Sequence, residues 1–206
     1  GAFYQPRNTE IGNGATALHA AVENGHLKAV RVLLDAGASQ LTSMQGASPL
    51  LISLQYRHPA IALHLLRESN LGKVHVNAQT ADGTFPLLVA AMHGYKRVVE
   101  RLLDIGAKTN MTDRRGESAL SAAIHSGYVD VAQLLLDKSS TGVLQRYRKH
   151  VDTIRTQDGV TSLFAAVRRG FTNIAKALIK RGVSVNEHHS KTGITPLMLA
   201  AQRGKV

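Results

Sequence analysis

The chain lacks cysteine and tryptophan, and it carries only five tyrosines and four phenylalanines among its 206 residues. Without cysteine there can be no disulfide, no thiolate zinc site and no cysteine nucleophile. No apolar run approaches the roughly eighteen residues that a membrane-spanning helix requires. The N-terminal segment also lacks the basic-then-apolar pattern of a secretory signal. These absences argue against a disulfide-stapled, thiol-dependent or membrane-spanning structure for these residues.

Acidic residues are also scarce. Lysine and arginine number 25 against 14 aspartates and glutamates, which gives a net charge of +11. Residues 1–103 hold nine basic and six acidic side chains, a net charge of +3, whereas residues 104–206 hold sixteen and eight, a net charge of +8. A basic field of this kind favours anionic partners such as acidic protein surfaces, nucleic acid or acidic lipid. The same excess can serve solubility alone, because net charge does not determine the fold.

Motifs of catalysis and metal binding are missing as well. The sequence contains no HExxH, GxxxxGK[ST] or GxSxG motif and no EF-hand spacing. Its ten histidines are scattered, and the adjacent pair His188 and His189 point in different directions on either a helix or a strand. We therefore predict no catalytic, cofactor-binding or metal-binding residue and no enzymatic activity. If the chain belongs to an enzyme, its catalytic domain lies elsewhere.

A repeat organises the sequence. Six glycines recur at intervals of 32, 37, 33, 43 and 34 residues, and each is followed four positions later by a leucine. A small residue stands seven positions after each glycine, and a second glycine stands eleven positions after it in five of the six copies. These offsets define six units, one to six in chain order. Their marker glycines are Gly14, Gly46, Gly83, Gly116, Gly159 and Gly193.

Each unit predicts two short helices. Small residues after the marker glycine allow a closely packed first helix, and the second glycine ends it in a left-handed conformation. The second helix has apolar residues at helical spacing, as at Leu27, Val30 and Leu33. A pair of this length cannot bury its own apolar face, so it must stack on its neighbours in a linear solenoid.

The repeated motifs resemble the ankyrin repeat, as in GATALHAA at 14–21, GESALSAAIHSG at 116–127 and GITPLMLAAQRG at 193–204. The resemblance covers about residues 10–206. It implies an all-α fold, an ankyrin-repeat solenoid of stacked helix-turn-helix units with short hairpin loops and about five full repeats plus one partial repeat. We expect a single array over residues 1–206, with units near 10–42, 43–78, 80–112, 113–138, 156–188 and 190–206.

Several features depart from the family pattern. An inserted basic loop at 139–156 is either functional or a solvated, extended turn. Arg57 replaces the second glycine of unit two, where a β-carbon costs about 1 kcal/mol, so we expect that unit to be irregular and less stable. His19 alone keeps the histidine of the motif, which is similar to a structural, turn-bonding residue. The last unit stops at Val206 before its second helix, which predicts a fragment of a longer protein or missing repeats.

The resemblance further implies a concave groove, lined by the hairpin tips and by the exposed face of each first helix. Units two and three place an aromatic ring, a methionine and a histidine there, which suit an apolar anchor. Units four to six place basic side chains there, mostly arginines. The guanidinium group of arginine can bind a carboxylate or a phosphate with two hydrogen bonds. The candidate partner-binding residues are Tyr56, Met92, His93, Arg114, Arg115, His125, Arg168, Arg169, Lys191 and Arg203.

We therefore predict a non-catalytic protein–protein interaction scaffold of the cytoplasm or nucleus. Its basic groove would bind a partner protein, or an acidic or phosphorylated peptide, with no cofactor and no small-molecule substrate. One alternative is electrostatic binding of nucleic acid or anionic lipid through the basic C-terminal half, although few aromatic residues are present for base stacking. Another is a targeting module of an enzyme or channel whose functional domain lies outside this chain.

Overall fold

The structure, a computed structural model, describes residues 16–41, 46–68, 75–138 and 160–204. Within these ranges the chain forms eleven α-helices and no strand, which confirms the predicted all-α fold. The inserted basic loop predicted at 139–156 lies outside the described residues. The helices are α1 (Ala17–Glu23), α2 (Leu27–Asp35), α3 (Pro49–Gln55), α4 (Pro59–Glu68), α5 (Pro86–Met92), α6 (Lys96–Asp104), α7 (Ala119–Ser126), α8 (Val129–Lys138), α9 (Ser162–Arg169), α10 (Thr172–Lys180) and α11 (Pro196–Gln202).

The helices stack in two layers. The odd-numbered helices are the first helices of the units, and each contacts the first helix of the next unit from α1 through α11. The even-numbered helices form the outer layer and contact one another in the same order from α2 through α10. Because each unit packs only on its neighbours and its own partner helix, the result is a linear solenoid.

The repeated leucines form the core between the two layers. The leucines of units one to five, such as Leu18 and Leu163, are at most 2% exposed. Small residues such as Ala90 and Ser53 are fully buried and let adjacent first helices approach closely. In α11, by contrast, Leu197 is 59% exposed, because no further helix covers it within the described part of the chain.

Most of the first helices have a serine or threonine at the N-cap position. The side chains of Ser48, Thr161 and Thr195 each accept a hydrogen bond from the backbone N–H three residues later, at 3.1 to 3.3 Å. Each such cap stabilises its helix by about 1 kcal/mol. His19 is completely buried, and its Nδ1 lies 3.1 Å from the N and 2.8 Å from the Oγ1 of Thr16. The position of His19 thus agrees with the structural role predicted for it.

Unit three begins its first helix differently. Phe85 stands at the N-cap of α5 and makes no side-chain capping bond. Its ring is only 1% exposed, among the largest fully buried side chains described. This unit therefore fills the core at a position where the neighbouring units place a capping hydroxyl.

Arg57 adopts the left-handed conformation that its position requires. Its φ is 64°, close to the 73° of Gly25 and the 71° of Gly94 at the same position of neighbouring units. Helix α3 still ends at Gln55 and α4 begins at Pro59, so within the described part of unit two the expected irregularity is the left-handed backbone of Arg57. A β-carbon in this conformation costs about 1 kcal/mol.

Candidate partner-binding groove

The hairpin tips of units three and four are joined into one edge. The backbone N–H of Arg114 donates to the carbonyl of Asp82 at 3.2 Å. The side-chain amide of Gln79 donates to the carbonyls of Gly83, at 3.0 Å, and Thr112, at 2.9 Å. These bonds fix the position of one tip relative to the next, so the side chains that they carry are pre-organised.

Asp82 holds the tip of unit three together. Its carboxylate accepts hydrogen bonds from the Thr80 hydroxyl, from the Thr84 hydroxyl at 2.8 Å and from the Thr84 N–H at 3.3 Å. The bond from Thr80 and then those from Thr84 lower the pKa of Asp82 from 3.8 to about 2. The ionised carboxylate is therefore the form that the hairpin favours.

This lowered pKa predicts how the tip responds to acid. Because the folded pKa of Asp82 lies below its unfolded value, the stabilisation is complete above about pH 4 and is lost as the pH falls through about 2. We expect the carboxyl carbon of Asp82 to titrate with a midpoint near 2 by NMR. The urea-unfolded chain is the control, and a folded-state midpoint equal to that of the control would contradict the bonding described.

An exposed apolar patch lies at the ends of α3 and α5, formed by Tyr56, Met92 and His93 and called here the Tyr56–His93 patch. Tyr56 is 49% exposed and Met92 is 39% exposed. A hydrogen bond between the Tyr56 hydroxyl and Glu23, from the preceding unit, raises the pKa of Tyr56. His93 is half-buried beside the Tyr95 ring, with the ring centroids 5.6 Å apart. Because α3 and α5 contact each other, the three candidate residues of units two and three stand at the ends of adjacent helices.

Two of the candidate residues of unit four lie beside carboxylates of the same unit. The Nε of Arg115 lies 3.2 Å from a carboxylate oxygen of Asp113, although the Arg115 side chain is 75% exposed. The Nδ1 of His125 lies 2.8 Å from a carboxylate oxygen of Glu117. Arg114 is exposed beside them. The motif offsets did not predict this compensation, although Asp113 stands only two positions before Arg115.

Units five and six carry cations with less compensation. Arg168 and Arg169 are exposed in the last turn of α9, and none of the acidic side chains that the structure describes forms an ion pair with either. A guanidinium N–H of Arg203 donates to the carbonyl of Arg168, which draws the cations of the two units together. Lys191 is exposed at the hairpin tip of unit six. Arg168, Arg169 and Arg203 therefore form a basic cluster at the ends of α9 and α11.

A shallow pocket of about 280 Å³ lies where α8 and α10 begin, and its lining includes Val129, Phe171 and Ile174 but none of the candidate residues. Among the described residues, no three histidine or acidic side chains could hold a metal ion together. No helix in the same ranges is long and apolar enough to cross a membrane.

Known proteins resemble this chain over most of its length. It is 30% identical over 183 residues to the nuclear factor NF-kappa-B p105 subunit of Gallus gallus, a match that covers 86% of this chain and 18% of that protein. It is 26% identical over 161 residues to the B-cell lymphoma 3 protein homolog of Mus musculus, covering 78% of this chain and 35% of that protein. The chain therefore spans about a third or less of the length of these relatives.

A solved structure and a family profile agree with these similarities. The crystal structure of the ankyrin repeat domain of Bcl-3, described as a unique member of the IkappaB protein family, superimposes with a TM-score of 0.70 at 26% identity, covering 93% of this chain and 80% of that one. The family described as "Ankyrin repeats (3 copies)" matches residues 3–77, 68–146 and 138–206. Together with the two-layer solenoid, these matches show that the chain belongs to the ankyrin repeat family.

Proposed function

We propose that this chain is a non-catalytic binding module whose groove holds an extended acidic or phosphorylated segment of a partner protein. The observation that carries the proposal is the basic cluster at the ends of α9 and α11, where Arg168 and Arg169 are exposed without an ion-pair partner among the described residues. An arginine fork binds a carboxylate or phosphate with two parallel hydrogen bonds. A partner would complete these contacts.

The groove binds through several contacts at once. One exposed ion pair contributes only about 0.2–1 kcal/mol, so Arg168, Arg169, Arg203 and Lys191 must act together. The basic residues make only polar contacts with the partner, and the Tyr56–His93 patch adds an apolar contact. Likeness to the ankyrin repeat domain of Bcl-3 and to a nuclear factor subunit supports a protein-binding role in the cytoplasm or nucleus.

A charge-matched pair of variants tests the site. Arg168→Gln/Arg169→Gln removes two charges from the groove, and Lys176→Gln/Lys180→Gln removes two exposed charges from α10, the outer helix of the same unit. With a fluorescein-labelled peptide of twelve glutamates, we expect fluorescence anisotropy to show about fivefold to thirtyfold weaker binding for the arginine variant. The lysine variant should bind within about twofold of the wild type.

Two results would contradict this site. Equal losses in both variants would favour diffuse electrostatic attraction, and hence the alternative of nucleic acid or anionic lipid as the partner. If Arg168→Gln/Arg169→Gln binds the peptide as tightly as the wild type does, the binding site does not include the end of α9. Circular dichroism establishes that each variant is folded before its affinity is compared.

A further inference from the structure

Arg57 occupies a backbone position that glycine fills in the other described units. Its φ of 64° lies in the left-handed region, and no other described residue except glycine has a positive φ. A glycine here would avoid the strain that the β-carbon of an arginine causes. Strained residues of this kind concentrate at binding and catalytic sites, where the side chain has a use that offsets the strain.

The neighbouring turn shows what the glycine normally permits. In unit one, the ring of His58 from the next unit comes within 2.6 Å of the place that a β-carbon on Gly25 would take. The residue equivalent to His58 in unit three is Tyr95, whose ring lies beside His93. At the turn of unit two the β-carbon of Arg57 takes the place that glycine leaves empty in unit one, and its charge lies close enough to His93 and Tyr95 to act on both rings.

The charge of Arg57 has no counter-charge in the described structure. Arg57 is exposed, and no acidic side chain within the described ranges forms an ion pair with it. Burial, and after it the charge of Arg57, lower the pKa of His93. Both effects favour the neutral form of the His93 ring, so Arg57 supplies the positive charge at this end of the groove.

We infer that Arg57 is a partner-binding residue, whose guanidinium binds a carboxylate or phosphate that stands beside an apolar side chain of the partner segment. Tyr56 and Met92 offer the apolar contact, and the neutral His93 ring offers a further hydrogen-bonding group. The inference rests on the proposed function and deepens it. It specifies a segment whose acidic residues continue toward units two and three and include an apolar or aromatic residue there.

The test exploits the opposite effects of Arg57→Gly on stability and on binding. Because the glycine relieves the strain, we expect the melting temperature to rise by about 2–4 °C. The same variant should bind a fluorescein-labelled heptapeptide, six glutamates around a central tyrosine, about twofold to fivefold more weakly than the wild type does. Arg57→Lys keeps the β-carbon and the charge, so its melting temperature should be unchanged and its affinity intermediate. Arg97→Ala, an exposed arginine of the outer helix α6, is the control and should bind as the wild type does.

A titration of His93 by NMR gives a readout that a purely structural role of Arg57 would not move. When the peptide carboxylate neutralises Arg57, the pKa of His93 should rise. In Arg57→Gly the peptide should shift this pKa much less. The same peptide with a phosphotyrosine at its centre distinguishes a phosphate from a carboxylate as the group that Arg57 prefers.

The outcomes separate this inference from the proposed function. If Arg57→Gly binds as tightly as the wild type while Arg168→Gln/Arg169→Gln binds weakly, the groove stands and the role of Arg57 is refuted. A lower melting temperature for Arg57→Gly would likewise refute it, because the arginine would then be a packing residue. If the wild type binds neither the heptapeptide nor the peptide of twelve glutamates, both the proposed function and the role of Arg57 are refuted.

Discussion

Replacing Phe85 by alanine is expected to lower the free energy of unfolding by about 3–5 kcal/mol. The Phe85 ring is 1% exposed at the start of α5 and belongs to the buried core, so its removal leaves a cavity there. Urea unfolding followed by circular dichroism measures the change. A loss below about 1 kcal/mol would mean that the ring is not part of the core.

The Phe85→Thr variant separates the effect of the cavity on stability from the effect of the helix cap. Threonine would supply the capping hydroxyl that Thr161 and Thr195 supply in units five and six. The cap restores only about 1 kcal/mol, so the cavity dominates and the variant should remain about 2–4 kcal/mol less stable than the wild type. Thr161→Ala, which loses a cap and creates little cavity, should cost about 1 kcal/mol. A Phe85→Thr variant as stable as the wild type would reverse this ranking.

Gly83→Ala is expected to lower the free energy of unfolding by about 2–4 kcal/mol and to disturb the groove edge. A β-carbon at Gly83 would lie 2.8 Å from the backbone N of Arg114 and 2.9 Å from the Cα of Asp113. The clash is with backbone, so it can be relieved only by separating the two hairpin tips, and the φ of +84° adds conformational strain. Urea unfolding measures the loss of stability.

Gly46→Ala is the matched control for this change. Gly46 has the same φ of +84°, but its β-carbon would come no closer than 3.8 Å to the Cα of Thr80, an ordinary contact. It should therefore cost only the conformational term of about 1 kcal/mol. Equal losses for the two variants would mean that conformation alone, and not the contact between the tips, decides the effect at Gly83.

The fold was predictable because its signals lie within single units. A leucine four positions after a glycine, as at Leu50 or Leu120, is buried in the same way in each of units one to five, so one repeat suffices to place the others. The burial of Phe85 could not be predicted in this way. A cap position is read from local sequence, whereas the space that the Phe85 ring fills depends on how the units pack in the core.

The charge pattern of the groove was only partly predictable. The motif offsets place Arg168 and Arg169 at the end of α9, where the structure also has them. They do not predict that Tyr56 bonds to Glu23, since that contact depends on how two units stack. For the same reason the motif indicates Arg57 only as a source of strain, and its nearness to His93 emerges from the packing of unit three on unit two.

The hydrogen bonds that join the units in the described part of the chain run between consecutive units. The His58 ring reaches the Glu23 carbonyl at 3.0 Å, and a guanidinium N–H of Arg181 reaches the carbonyl of Leu136. In such an array the terminal units open most readily, because each is held from one side only. A partner segment lying across several units would stabilise each of them against local opening, because opening any one unit beneath it would also break contacts with the partner. Binding in the groove would then suppress fraying at the ends and make the array more cooperative, with no change in the shape of any single unit.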